Sequence, residues 1–481
     1  MRGSPHNQRS SAAITRFLVP YRLNMKELAA MSEPSPEDRT VISLAPEIDV
    51  ARRTRRRVTR RLLPFLMLLY LFAFLDRANV GIAKLEMQGD LHLTDGVIGL
   101  GAGIFFLGYF LLEVPSTLIV ERWSARKWLA RIMITWGIVA AATGFIGMSP
   151  FGPSMIAHQF YFARFLLGAA EAGFFPGVIV YLSHWFRAED RARAKAWFMV
   201  TQPLAVVIGL PLSRWILEIV HWHGLPGWRW VFILEGLPCI LLGMVTARYL
   251  TDHPIQATWL TGDEKSWLMS CLEAERHARI VAGRVRISDA FRQRYVLLLI
   301  FIYLLVVTGN QGLLFFLPSI TNEMRTMSIS ARTLVTVLPY LCSICGILLN
   351  GYWANRTGEK RWHTAIPMLI SGSALLLAVL SGDRLALVIG FFCLAGAASQ
   401  AYLPVFWTLP AAFLGQSAAA TAVGLINSFG NLGGFVGPYV FGFLTTRTGG
   451  FQAGLCFLSC CTLLAGLLAT RIRQAAPLQD R

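Results

Sequence analysis

Two opposite charges stand side by side in the first long apolar run, within Phe74-Leu75-Asp76-Arg77-Ala78-Asn79-Val80-Gly81. A second pair, Arg164 and Glu171, lies in a later apolar run. A charge in hydrocarbon costs roughly 2.5 to 3.5 kcal/mol on insertion scales, so such groups face a cavity or each other. Arg keeps its proton and offers a planar fork that fits a carboxylate, which suits Arg77, and Arg164 beside it, to an anionic ligand. A desolvated carboxyl group can change its charge, which makes Asp76 and Glu171 candidate proton carriers.

A rise of 1.5 Å per residue puts Asp76 and Arg77 about 20 Å beyond the start of their run near residue 62, and Arg164 about 10 Å below the far face. Asp76 and Arg164 therefore stand level and could meet. Glu171 follows Arg164 by two turns on almost the same face, about 10 Å lower. Tyr109 reaches a comparable depth, where it could donate to an anion or to Glu171, and Gln202 offers an amide with both hydrogen-bonding capacities. Later in the chain Asn310-Gln311-Gly312 and Asn427 offer amides, and Trp407 offers an apolar wall with one N–H.

Each reading has a structural competitor. The four charges could form a static buried network, with Arg164 only neutralising Asp76, although paired ionisable groups in a membrane favour a pathway or relay. For Trp407 and Asn427 the competitor is helix packing. Glu113, Arg131 and Glu235 lie nearer the ends of their runs, where snorkelling or gate contacts explain them as well as a ligand does. His158 reads as interfacial, and His221-x-His223 lacks the carboxylate or Cys partner of a metal site.

The elements that must position these groups are membrane spans. Of 481 residues, 55% are hydrophobic and 15% charged, with a mean hydropathy of +0.52, too apolar for a soluble domain of this length. Apolar windows occur near 62–83, 97–119, 128–148, 158–182, 196–219 and 229–250, then 295–317, 333–353, 364–382, 385–409, 419–444 and 451–471. These predict an all-α membrane protein of twelve transmembrane helices in two six-helix halves, 61–250 and 295–472. The net charge of +17 sits in the short links between runs. That placement is topogenic and argues against a nucleic-acid partner.

Lys and Arg mark 121–131, 187–195, 248–294 and 356–361 as cytoplasmic, while 149–157 and 220–228 carry none, so both termini are expected inside the cell membrane. Residues 1–60 read as a disordered cytoplasmic tail with Met25 and Met31 as alternative starts, and 473–481 as a second tail. Between the halves, 251–294 reads as a linker in which Thr261 and Glu264 could form a capping box. Seven of the eight cysteines fall in apolar runs as packing groups, Cys342-x-x-Cys345 included.

The loops after spans two and eight match: Glu121-Arg122-Trp123-Ser124-Ala125-Arg126-Lys127 and Asn355-Arg356-Thr357-Gly358-Glu359-Lys360-Arg361. With Glu113-Val114-Pro115-Ser116, Glu171-Ala172-Gly173-Phe174-Phe175-Pro176-Gly177, Gly227-Trp228-Arg229-Trp230, Glu235-Gly236-Leu237-Pro238, Phe406-Trp407-Thr408-Leu409-Pro410 and Asn431-Leu432-Gly433-Gly434-Phe435-Val436-Gly437-Pro438, they carry a resemblance. From about residue 60 to 472 the chain resembles the major facilitator superfamily, and within it the anion:cation symporter family of tartrate, phthalate, glucarate and galactonate carriers.

The resemblance implies a two-half carrier rocking about a central site. It also implies roles for Asp76, Arg77, Arg164 and Glu171, and it places Trp407 and Asn427 in the site. Thr117, Ser124 and Asn355 depart from the general loop pattern. Gly209-Leu210-Pro211 is shorter than the glycine-proline repeat of antiporters, which favours symport. The expectation is a monomeric, cofactor-free, non-enzymatic importer of a small organic anion with protons. An antiporter or facilitator is the alternative, and a non-transporting anion sensor, which would need a folded output domain, is a weaker one.

Overall fold

The computed structural model describes residues 36–148, 152–281 and 293–472. Among these, the residues up to Arg53 form one unit and those from Thr54 a second, and the packing described below is that of the second. No strand occurs among the described residues. The first half comprises α1 (Pro36–Leu91), α2 (Asp95–Arg122), α3 (Ala125–Thr143), α4 (Ile156–Glu171), α5 (Phe174–Trp185), α6 (Ala188–Ile219) and α7 (Gly227–Tyr249). After a linker helix, α8 (Gly262–Val281), come α9 (Arg294–Asn322), α10 (Ile329–Thr357), α11 (Arg361–Leu380) and α12 (Leu385–Ser399). The one-turn α13 (Leu403–Phe406), α14 (Leu409–Asn431), α15 (Gly433–Thr448) and α16 (Gln452–Ala469) complete the described helices.

Three spans are each built from two helices: α4 with α5, α12 with α13, and α14 with α15, so the sixteen α-helices among the described residues make twelve spans and a linker. Among the described residues, ten stretches are long and apolar enough to cross a membrane. The other two spans are α3, whose first two turns carry Arg126, Lys127 and Arg131, and the α14–α15 pair. The break after Glu171 has a local cause. Gly173 adopts φ +85°, and a Cβ there would fall 2.0 Å from Ser116 Oγ on α2, so this turn requires glycine on both counts.

Two expectations change. Residues 1–60 read as an unstructured tail; 1–35 lie outside the described residues, whereas the remainder is helical, since α1 begins at Pro36. In the turn before the apolar run, Arg55 pairs with Asp190 at 2.9 Å and Arg57 with the buried Glu264 at 2.6 Å. Ion pairs hold this turn to its neighbours, and hydropathy does not register them. In the linker only half of the capping box forms: Glu264 accepts from the Thr261 N–H at 3.0 Å, while the Thr261 hydroxyl donates to Asp263. The rest of the linker, 282–292, and the second tail lie outside the described residues.

Basic loops gather on one face, where Asp252 accepts from Ser124 Oγ at 2.7 Å and from the Arg126 N–H at 2.8 Å. On the opposite face the halves close backbone to backbone. A Cβ on Gly99 of α2 would lie 2.3 Å from the Pro438 carbonyl of α15, and one on Gly81 of α1 would lie 2.9 Å from the Phe315 carbonyl of α9. The buried Lys84, paired with Asp95, places its Nζ 3.9 Å from the Phe316 ring across this seam. Toward the basic face the seam is held by side-chain tips: Asn427 donates to Glu113, and Phe110 meets Phe429 at 5.4 Å.

Close glycine contacts also set spacing within a half. A Cβ on Gly168 of α4 would lie 1.9 Å from the Phe105 carbonyl of α2, whereas one on Gly89 would meet nothing within 4 Å. Gly168→Ala is expected to lower stability by about 1–3 kcal/mol through overpacking. Thermal unfolding of the detergent-solubilised protein checks this, with Gly89→Ala expected to match or exceed the parent midpoint.

Candidate functional site

Between the halves lies a cavity of about 1070 Å³, counted out to its mouth. The first half contributes Arg77, Tyr109 and Gln202; the second contributes Asn310, Trp407 and Asn427. All six candidate ligand-binding residues therefore share one space. The two candidate proton carriers, Asp76 and Glu171, and their candidate coupling partner Arg164 are absent from its lining. Asp76, Arg164 and Glu171 are each 1% exposed or less, behind the wall.

Adjacent positions on a helix point about 100° apart, which separates Asp76 from Arg77. Arg77 turns to the cavity and closes on Glu171, donating from Nε at 2.9 Å and from Nη2 to the same Oε1. Glu171 is the last residue of α4, and its Oε2 has no partner. The Arg77 guanidinium also lies 5.0 Å from the Tyr109 ring and 5.4 Å from the Phe105 ring. Tyr109 thus meets the cation through its ring face, and no hydrogen bond joins it to Glu171.

Asp76 turns away into the helices. One of its oxygens accepts from Trp136 Nε1 at 2.8 Å and the other from Asn79 Nδ2 at 3.2 Å. Asn79 donates also to Glu235 at 2.9 Å, and Ser213 donates to Glu235 at 2.6 Å. This buried chain joins α1, α3, α6 and α7. The expected meeting of Asp76 with Arg164 is not made in this conformation, because indole and amide donors occupy the carboxylate. Arg164 is fully buried, none of its three nitrogens has a hydrogen-bond partner, and its guanidinium lies 5.0 Å from the Phe105 ring. Phe105 therefore touches both Arg77 and Arg164.

In the second half, Asn310 donates to the Ser399 carbonyl at 3.1 Å. Trp407 rests edge-on against Tyr303 at 5.1 Å, with Lys195 Nζ 5.7 Å from its ring. Asn427 lines the cavity while its amide donates to Glu113 of α2. Glu113 and Glu235, which read as end-of-helix groups, are both buried in hydrogen bonds, the first between halves and the second within one. His158 is exposed, and His221 lies 4.0 Å from Glu86 at the surface.

Several cavity residues carried little signal in the sequence. Tyr70, Tyr303, Tyr340 and Tyr402 also line the space, but an aromatic in an apolar run reads as packing. Gln400 and Asn431 sit beside helix breaks, and only the polar pair Ser399-Gln400 before Pro404 could have marked the first. Asn79, three residues after Asp76, was the available sign of the buried chain.

The sequence pattern of the Major Facilitator Superfamily matches residues 66–331 and 325–480. A protein of Agrobacterium vitis named for tartrate transport is 38% identical over 89% of this chain and 93% of its own length. A protein of Acinetobacter baumannii named "Quinolone resistance transporter" is 38% identical over 88% of this chain and 96% of its own. Among solved structures, the xylose transporter XylE from E. coli in a partially occluded inward open conformation superposes with a TM-score of 0.70 at 14% identity, covering 88% of this chain and all of that one.

The Asp76–Asn79–Glu235–Ser213 chain is expected to behave as one structural unit. Asn79→Ala leaves two buried carboxyl groups short of a donor and is expected to cost about 1–3 kcal/mol. A double-mutant cycle of Asn79→Ala with Glu235→Ala, read by thermal unfolding, is expected to give a coupling of about 0.5–3 kcal/mol. Simple additivity would show the two residues to act independently.

Proposed function

We propose that this chain, which belongs to the Major Facilitator Superfamily and is a multi-pass membrane transporter, imports a small carboxylate by proton symport through alternating access. The basic face is then cytoplasmic, by the bias of Arg and Lys toward that side, and both termini lie there. The face closed backbone to backbone is external, and the conformation described is inward-facing. The working protein is a monomer in the inner membrane, and its reading involves no covalent chemistry.

One observation carries this: the cavity's cation, Arg77, is held by a buried carboxylate. An anion arriving at Arg77 competes with Glu171. If it wins, Glu171 is left buried with a charge and no partner, which is strongly unfavourable. A proton taken up by Glu171 removes that charge and frees the guanidinium fork for the incoming carboxylate. Substrate and proton thereby favour each other's entry. Release on the other side restores the pair. Asp76 is a second buried carboxyl group, next to Arg77 on α1, and Arg164 a buried positive charge one helix away on α4.

Efflux by antiport is the second reading, supported by the relative named for quinolone resistance. Right-side-out and inverted vesicles with an imposed pH gradient separate the two. Symport predicts accumulation in the direction of the proton gradient, and antiport predicts the opposite.

Glu171→Gln is the test of mechanism. It is expected to abolish gradient-driven accumulation while substrate exchange across the membrane remains measurable. Full driven uptake in this variant would remove Glu171 from the proton path.

A further inference from the structure

The lining of the second half points to a narrower substrate class, an inference that rests on Arg77 as the carboxylate site. Among the described residues, Arg77 is the one charged side chain lining the cavity. The opposite wall sets amides, phenols and an indole among apolar residues: Asn310, Tyr340, Gln400, Tyr402, Trp407 and Asn427. Two of its amides are committed, Asn310 to the Ser399 carbonyl and Asn427 to Glu113.

Two other polar groups on this wall have no partner. Gln400 is 8% exposed, and its buried Oε1 accepts no hydrogen bond. The buried hydroxyl of Tyr340 has no partner either. Both line the cavity near the place where α10 and α12 meet. A Cβ on Gly396 of α12 would lie 2.3 Å from the Pro339 carbonyl of α10, so the helices touch one residue before Tyr340 and one turn before Gln400. Buried polar groups are normally paired, and an orphan amide oxygen and phenol on two residues that line a ligand cavity leave hydrogen bonds for a ligand to complete.

We propose that Gln400 and Tyr340 form a subsite for an uncharged hydroxyl on the substrate, so that the carrier selects hydroxylated monocarboxylates over dicarboxylates. A hydroxyl both donates and accepts, so it can answer the Gln400 carbonyl and the Tyr340 phenol together. A second carboxylate there would lose its water without gaining a cation, since neither an amide nor a phenol neutralises it.

Two probe series test this by thermal stabilisation of the detergent-solubilised protein across ligand concentrations. One is 3-hydroxybenzoate, benzoate and isophthalate, which changes a single ring substituent; the other is gluconate against glucarate. The expected result is that 3-hydroxybenzoate or gluconate binds about tenfold or more tightly than the matching dicarboxylate, the equivalent of one well-made hydrogen bond. Gln400→Leu and, as the gentler change, Tyr340→Phe are each expected to weaken the hydroxylated probe that binds by about tenfold and leave benzoate unaffected. If carboxylates bind but dicarboxylates do as well as the hydroxylated acids, or both variants retain parental affinity for the hydroxylated probe, the subsite is overturned and the organic-anion reading stands. If no carboxylate in either series binds, both fall.

Discussion

The structure turns on the ion pair between Arg77 and Glu171. The cavity has one charged group in its described lining, and that group is already occupied by a carboxylate with an unpaired second oxygen. Low dielectric makes the pair strong and also makes either member costly to leave alone. Glu171 is shut in behind the wall, while Arg77 keeps one side open to the cavity. Phe105 lies between Arg77 and Arg164, Tyr109 covers the guanidinium, and the turn at Gly173 ends α4 where Glu171 can reach across to α1.

Around that pair the two halves meet unevenly. On one face, glycines let helix backbones touch across the seam, at Gly99 with Pro438 and Gly81 with Phe315. On the other, side chains such as Glu113 and Asn427 reach across a gap. A backbone seam is dense and has few intermediate arrangements, whereas side-chain tips can part by changing rotamer. The asymmetry is what a carrier needs if one face opens while the other stays shut. It also makes Asn427 serve two purposes, as cavity lining and as a tie between halves.

Much of this was legible in the residues. Twelve apolar runs, a polar interval after the sixth and a matched pair of loops predicted the two six-helix halves, because hydrocarbon imposes the length and composition of whatever crosses it. Arg77, Tyr109, Gln202, Asn310, Trp407 and Asn427 stood out as polar or amphipathic groups in apolar surroundings, and they line one cavity. Depth counting placed Asp76 and Arg164 level but gave no azimuth, and the direction in which Asp76 points decides its partner. It points to Trp136 and Asn79.

The turn of α1 at Arg55 and Arg57 escaped for a different reason: charges on distant segments hold it, and no local pattern records a partner such as Glu264. Gln400 and Tyr340 escaped because an amide or a phenol in a span is unremarkable until its neighbours are known. By itself, then, the sequence determined the environment, the number of crossings and the groups too polar to face lipid, since each follows from the cost of transferring a residue into hydrocarbon. Only the tertiary structure decided which of those groups pair, which remain open to a ligand and which face is shut. Pairing depends on direction and on residues far apart in the chain, and transfer energies carry neither.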